Sequence, residues 1–298
     1  MSERRVMVTG AAGFVGDALT RGFADRGWHV LAVDRTAGTS LDGVRWLEAD
    51  LVDGLPHDVE CPDLIVHGAW TTADPTELGV DAEGYEALNL QPLLAVLEWA
   101  TASGAPAFVF LSSSGVFGAD DAEGGLTDDT PPSGSSAYAR SKRKGEALTS
   151  SADVPSVYVV RLGYLFGPGE RRSTTRPGVS MVAEWIERAR AGETLECRSD
   201  DPRREWTFAP DLAEAIERLV SGPVPAHPVH LGSPHVLRDS EVAQLVSRHF
   251  PDTEVAVVDP PRPQKAPMIG SSLPALSTMT WTTPARGIAA MLERARVA

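Results

Sequence analysis

Cysteine is scarce in this chain: Cys61 and Cys197 are the two it contains, far apart and outside any C-x-x-C pair. That excludes a disulfide scaffold, and both thiols are read as reduced, in a reducing compartment. Long apolar runs are missing as well. None approaches the roughly 18 residues that cross a bilayer. The first apolar stretch, Val6–Val8, meets Gly10 too soon for a secretory h-region. A cytoplasmic protein without a membrane partner is expected. Basic residues are in deficit, 27 Lys and Arg against 41 Asp and Glu, for a net charge of −14. Such a field repels polyanions, which excludes nucleic acid and acidic membranes as general partners. A small anionic substrate is not excluded, because a pocket can gather a few arginines against the overall sign. Internal repeats and low-complexity tracts are lacking, and no metal site is expected. What remains is ordinary for a globular protein: 42% apolar and 23% charged residues, in a chain of 298 that suffices for one large core or two modest ones.

Short apolar runs recur through the first half, at Val6–Val8, Val30–Val33, Leu64–Val66, Phe108–Leu111 and Val157–Val160. They do not alternate with polar residues, the pattern of strands buried on both faces. Helix-length segments lie between them at Phe14–Arg26, about Tyr85–Ser103 and about Ala137–Ser150. Pro92 predicts a kink in the second, or a start later than Tyr85. This alternation predicts an α/β fold, a Rossmann-type doubly wound parallel sheet over residues 1–166. After Gly167 the rhythm changes. Met181–Ala191 and Asp211–Val220 read as helices, Asp211 being a plausible N-cap of the second. A proline-rich connection at Pro223–Pro228 precedes a strand near Val229–Gly232, a helix from Ser240 and a strand at Glu254–Val258. Residues 167–298 are expected to form a smaller mixed α/β substrate domain, with a return segment near 205–220. Its pieces should cover the carboxyl ends of the first domain's strands, where ligands bind in such sheets.

Thr9-Gly10-Ala11-Ala12-Gly13-Phe14-Val15-Gly16 directly follows a strand and opens a helix. Glycine permits the tight turn at Gly10, approach of a pyrophosphate near Gly13 and helix–strand packing at Gly16. The helix start then offers N–H groups and a partial positive charge to phosphates. Gly10, Ala12, Gly13, Phe14, Val15 and Gly16 are therefore assigned to a dinucleotide. Asp34 ends the second strand, where a carboxylate accepts the adenosine ribose hydroxyls and repels a 2′-phosphate, arguing for NAD over NADP. Arg35 beside it is able to tolerate that phosphate. Asp50 and Leu51 fall where a loop would meet the adenine, although Asp50 also reads as a solvated loop carboxylate. His67-Gly68-Ala69 closes the fourth strand with small residues that let a dinucleotide pass; the His67 ring itself reads as structural.

Tyr138 and Lys142 lie four residues apart, hence on one helix face. A phenol of ordinary pKa about 10 is a poor base at neutral pH. A neighbouring ammonium and a cationic nicotinamide ring favour the phenolate and bring it into range. Lys142 is also suited to hydrogen-bond the nicotinamide ribose. Ser112-Ser113-Ser114 ends the fifth strand and supplies a hydroxyl for the substrate's carbinol oxygen. Tyr-x-x-x-Lys alone is a weak pattern; its weight comes from following the glycine loop and the serine strand end in that order.

Taken together, Thr9–Gly16, Asp34, Asp50, His67–Ala69, Asn89, Ser112–Gly118, Tyr138–Lys142, Arg161–Gly169 and Arg204–Asp211 resemble the extended short-chain dehydrogenase/reductases. More closely, the chain looks like the NAD-dependent epimerase/dehydratase family of sugar-nucleotide enzymes. The resemblance covers the first domain almost fully and the second sparsely. It implies NAD as cofactor, held also by Tyr138, Lys142 and Asn89, the last supporting the lysine through water unless it simply caps a helix. It places the family's hydroxyl four residues before the aromatic of the Phe117-Gly118 pair, on Ser113. Thr71, Ser114 and Tyr164 fall among the substrate contacts it implies. The resemblance further implies that dehydratases, decarboxylases and 3,5-epimerising reductases carry a carboxylate or thiol near that hydroxyl. Here Ser114 and Gly115 follow instead. That leaves oxidation or reduction of an alcohol carbon, and epimerisation through a transient ketone.

Arg204 matches the segment with which the family grips a nucleotide diphosphate, a task that suits a bidentate guanidinium; a surface arginine paired with acids is the other reading. Arg171, Arg172 and Arg176 form a second basic cluster, either for a phosphate or sugar carboxylate or as a solvated loop. The family pattern has asparagine where this chain has Tyr164, which keeps a free sugar acid or polyol open as substrate beside a nucleotide sugar. A sensor of NAD redox state is a third reading, disfavoured by the presence of both Tyr138 and Lys142. Leu90, Leu93, Leu94 and Leu97 form an apolar stripe with Val96 and Trp99 off it, so the helix is expected to meet both a core and another surface. Family members commonly pair through this helix and the Tyr138 helix, which implies a homodimer.

Overall fold

The computed structural model describes residues 3–56, 58–119, 125–258 and 265–297. It opens with β1 (Arg5–Thr9), α1 (Phe14–Asp25), β2 (His29–Asp34), β3 (Val44–Glu48) and β4 (Leu64–His67). Next come α2 (Ala82–Ser103), β5 (Ala107–Ser113), α3 (Ala137–Ser150), β6 (Ser156–Leu162) and β7 (Tyr164–Phe166). After these lie α4 (Met181–Arg190), β8 (Leu195–Arg198), β9 (Arg203–Phe208), α5 (Leu212–Val220) and β10 (Val229–Leu231). The chain closes with β11 (Val236–Arg238), α6 (Asp239–Ser247), β12 (Val255–Val258), α7 (Pro274–Ser277) and α8 (Pro284–Val297).

Seven parallel strands form one sheet in the order β10-β6-β5-β4-β1-β2-β3. Successive residues of β1 point to opposite faces. Val6 and Val8 join Leu19 and Phe23 of α1 and Ile216 of α5, whereas Met7 joins Leu93 and Val96 of α2 and Phe110 of β5. Both faces are covered, which is why the strands read as unbroken apolar runs. The strand order reverses between β1 and β4, where ligands of such sheets bind.

The second layer holds a three-stranded sheet, β11-β9-β7, and a β12-β8 pair around Phe166, Trp185, Trp206 and Ile288. The chain re-enters the first layer after β9. Helix α5 packs on α1 so closely that a Cβ on Gly22 would lie 2.6 Å from the Ala213 Cβ. Val229–Leu231 then pairs with β6 at the sheet's edge, so this strand belongs to the first sheet and not to the second domain.

One local expectation is corrected and another refined. Helix α2 begins at Ala82, before Tyr85, and runs through Pro92. Its start is fixed by Asp81, whose carboxylate accepts from the Gly84 N–H at 2.8 Å. Asp211 stands at the N-cap position of α5, as expected, but its side chain makes no capping hydrogen bond. Its carboxylate instead accepts from the Thr282 N–H at 2.7 Å and the Thr282 hydroxyl at 2.8 Å, tying the chain ahead of α8 to the first layer. Among the described residues no helix is long and apolar enough to cross a membrane.

Candidate active site

The glycine loop joins β1 to α1 as a turn that side chains would block. Gly10 has φ +70°, and a Cβ there would lie 2.7 Å from backbone atoms of Gly68 and Ala69. A Cβ on Gly16 would come within 2.0 Å of the Gly10 carbonyl oxygen. Among the described residues no side chain caps α1, whose N-cap is Gly13, so the N–H groups that open the helix at Phe14, Val15 and Gly16 are available to phosphate. Asp34 lies beside this loop and accepts the Ala12 N–H at 3.0 Å, with Arg35 next to it in solvent. Asp50 caps the turn at Leu51–Asp53 through the Val52 N–H, and Leu51 is buried beneath it. These residues fit a dinucleotide with two free ribose hydroxyls, as NAD has.

His67 is buried between Phe108 and Phe110, hydrogen-bonded through Nδ1 to the Thr9 hydroxyl at 2.9 Å. Burial, aided by the charge of Lys142, lowers its pKa to about 3, so the ring is neutral and structural. The Ala69 backbone lies against Gly10, so close that a Cβ on Gly10 would stand 2.7 Å from the Ala69 nitrogen. Asn89 is internal to α2 rather than a cap. Its carbonyl accepts the Thr71 N–H at 2.8 Å and its amide donates to the Tyr85 carbonyl at 3.1 Å, bracing the loop after β4.

The residues expected to do acid–base work meet at the end of β5. Tyr138 is half-buried beside the Ser113 hydroxyl, which favours its phenolate and accepts the Gly115 N–H at 2.9 Å. The tyrosine ring occupies the space a side chain at residue 115 would need, since a Cβ there would lie 2.6 Å from it. Lys142 donates to the Leu111 carbonyl at 2.6 Å, with its Nζ 3.9 Å from the Trp70 ring centroid and 6.0 Å from that of Tyr138. Burial dominates both groups in the protein alone. It raises the phenol and drives the ammonium well below its usual value, against the lowering of Tyr138 expected from the sequence. Desolvation disfavours both charged forms more than one ammonium at this range favours the phenolate. One turn on, Glu146 forms a buried bidentate pair with Arg161 at 3.0 and 2.8 Å and accepts from Ser112 at 2.5 Å. That pair ties α3 to β5 and β6 and so sets where Tyr138 stands.

The remaining predicted residues divide into two groups. Arg171 donates to the Ala12 carbonyl at 2.8 Å, and Arg176 lies 4.6 Å over the Phe14 ring while pairing with Glu170. Both thus face the glycine loop. The Thr175 carbonyl between them accepts from the Thr71 hydroxyl at 3.0 Å and the Thr72 and Ala73 N–H groups, so residues 171–176 bridge the loops after β1 and β4. Tyr164, Arg204 and Ser114 stand elsewhere. Tyr164 and Arg204 line a cleft of about 250 Å³ together with Phe117, Glu205 and Lys265. Arg204 is held bidentately by Asp239 at 2.7 and 3.0 Å and lies 4.5 Å over the Tyr164 ring. Ser114 accepts from Lys265 through its carbonyl and its hydroxyl.

Gly115, Trp70, Glu146 and Lys265 were not anticipated. Glu146 carried a readable signal, because it continues the four-residue spacing of Tyr138 and Lys142. Lys265 carried none, lying over a hundred residues from the serine it touches.

A family model described as the NAD dependent epimerase/dehydratase family matches residues 6–230. A probable dTDP-4,6-dihydroxy-2-methyloxan-3-one 4-ketoreductase of Streptomyces antibioticus is 31% identical over 214 residues, 71% of this chain and 65% of that protein, just under two-thirds of its length. The dTDP-4-dehydro-6-deoxy-D-allose reductase of Streptomyces bikiniensis is 28% identical over 287 residues, 89% of this chain and 86% of that one. Among solved structures, the NAD dependent NDP-hexosamine 5,6-dehydratase TunA superposes with a TM-score of 0.82 at 24% identity, covering 99% of both chains. With the glycine loop, Ser113, Tyr138 and Lys142 placed as described, the chain belongs to the NAD-dependent epimerase/dehydratase family, as an NAD-using enzyme of the extended short-chain dehydrogenase/reductase type.

Proposed function

We propose that this enzyme epimerises a nucleotide sugar at a ring carbinol, position 4 in the leading reading, through a transient ketone. The observation that carries the reading is the convergence of Ser113, Tyr138 and Lys142 beside the glycine-loop cradle. Bound NAD supplies the hydride acceptor and, on return, the donor. Ser113 holds the carbinol oxygen, Tyr138 moves its proton, and Lys142 orients the cofactor ribose and favours the phenolate. Arg204, Arg171, Arg176, Tyr164, Thr71 and Ser114 are proposed to bound the substrate and cofactor. Asp34, Arg35, Asp50, Leu51, His67, Ala69 and Asn89 shape the dinucleotide side.

Retention of the cofactor distinguishes epimerisation from net redox chemistry. An epimerase keeps its NAD through both hydride transfers, whereas a dehydrogenase exchanges it every cycle. The bridge of residues 171–176 between the two loops favours retention, because a dinucleotide lying between those loops leaves only after Arg171 lets go of Ala12 and Thr175 of residues 71–73. Net reduction of a keto sugar is the second reading, favoured by two relatives of which one is named a 4-ketoreductase and the other a reductase. Purified protein is incubated with NAD and UDP-, dTDP- and GDP-sugars beside free sugar acids, and NADH absorbance and proton NMR are followed together. A new epimer without net NADH supports epimerisation. Net turnover of NADH with a keto sugar, a free acid or a polyol replaces it with the reductase or dehydrogenase reading.

A homodimer through α2 and α3 is part of the same reading. Leu88 and Leu94 are exposed on α2, and a groove between the two helices is lined by Leu94, Leu97, Leu148 and Ala152. Light scattering that returns a monomer mass rejects it.

A further inference from the structure

Lys265 is a cation placed where the established chemistry does not require one. Its ammonium donates to the Ser114 carbonyl at 2.5 Å and the Ser114 hydroxyl at 2.9 Å. An ammonium has three protons, and the third finds no acceptor among the described residues. Ser114 follows directly on Ser113, whose hydroxyl meets Tyr138, and neighbouring Cα atoms lie about 3.8 Å apart. The ammonium is therefore held on the residue next to the serine that meets Tyr138.

Two cations of this cleft wall are held differently. Arg204, on the same cleft wall, is matched by Asp239. Lys265 forms no ion pair among the described residues. Glu205 is the carboxyl whose field reaches it without a direct contact; that side chain is buried, which raises its pKa, while the Met268 N–H it accepts at 3.0 Å and the Lys265 charge lower it. Burial lowers Lys265 to about 8, the Glu205 field opposing, so the ammonium form still predominates at neutral pH. Keeping a desolvated cation without a contacting counterion is costly in any protein. In a chain of net charge −14 there is no general excess of lysine to place there by chance.

We propose that Lys265 is a specificity residue whose ammonium receives a carboxylate borne by the sugar ring, so that the substrate is a uronic-acid-type sugar. This rests on the sugar-nucleotide reading above and names the class of sugar. The carboxylate replaces neither Ser113 nor Tyr138; it takes the free proton of the ammonium and fixes which ring carbon reaches them.

The test is calorimetric binding to the NAD-loaded protein of three probes: UDP-glucuronate, UDP-glucose and free glucuronate. Wild type should prefer UDP-glucuronate over UDP-glucose by about tenfold or more, the worth of one charge-assisted hydrogen bond. Lys265→Met should erase most of that preference while leaving UDP-glucose within about twofold. Lys265→Arg should restore part of it. An absent preference in wild type, or equal weakening of both UDP-sugars by Lys265→Met, overturns the inference and leaves Lys265 as a tie on Ser114. Lys265-dependent binding of glucuronate with no binding of either UDP-sugar keeps the carboxylate site and rejects the nucleotide-sugar reading. Failure of all three probes rejects both.

Discussion

The two walls of the site are built by different means. The cofactor wall is made of backbone: a glycine turn, an uncapped helix start and the ends of parallel strands. The wall proposed for the substrate is made of side-chain charges fixed by partners distant in sequence, Arg204 by Asp239 and Lys265 on Ser114. Backbone construction restricts which residues fit but is indifferent to their charge. Charge construction tolerates changes in shape but not the loss of a partner.

Substitutions separate these modes. The largest effect belongs to the group that stands between the walls. Tyr138→Phe should lower kcat by about 10²–10⁴-fold with NAD affinity nearly intact; near-normal turnover in a steady-state assay removes Tyr138 from acid–base work. On the charged wall, Asp239→Ala strips the buried partner from Arg204 and should cost about 3–5 kcal/mol in denaturant unfolding. A loss below 1 kcal/mol would mean that water, not Asp239, balances the guanidinium. On the backbone wall, Gly16→Ala drives a methyl into the Gly10 carbonyl and should cost about 1–3 kcal/mol. It should also weaken NAD binding, both read from melting curves with and without NAD. An unchanged NAD-dependent shift in Tm would refute the close-packed cradle. Asp34→Ala should narrow the preference for NAD over NADP by about tenfold in binding titrations; an unchanged ratio relieves Asp34 of that role.

The smallest effect near neutral pH comes from His67, beneath the cofactor wall. Its folded pKa, lowered to about 3, lies under the ordinary value of 6.5, so between these the unfolded chain binds a proton that the folded chain refuses. Stability should therefore fall with decreasing pH through that window, by about 1.4 kcal/mol per unit from this group, and be unaffected by it above 6.5. His67→Asn should flatten the slope. An identical slope in wild type and variant would show that the ring titrates normally.

The same division governs what was legible in the sequence. The Rossmann-type sheet, the glycine loop and the Tyr138–Lys142 face all arise from neighbours within a turn or a strand, whose periodicity is written locally. The early start of α2 was hidden because Pro92 drew attention over the Asp81 cap. Asp211 does hold the N-cap position, but no local rule shows that Thr282, 71 residues on, takes its carboxylate. Lys265 is the extreme case. Nothing near it in sequence marks it, because its meaning lies in the serine it meets across the fold.

The pairing of β10 with β6 bears on how the molecule is made. A ribosome that has delivered the first 166 residues has delivered every cofactor-side element except α5 and β10. Until residues 212–220 emerge the face of α1 that takes α5 stays uncovered, and until residues 229–231 emerge β6 remains an edge strand. Long-range parallel pairing of this kind is slow, and open edges invite association with other chains. The nascent chain therefore passes through a stretch of synthesis in which its nucleotide-binding half is complete in catalytic residues yet incomplete as a sheet. Ribosome-stalled chains ending on either side of β10 should differ sharply in protease resistance.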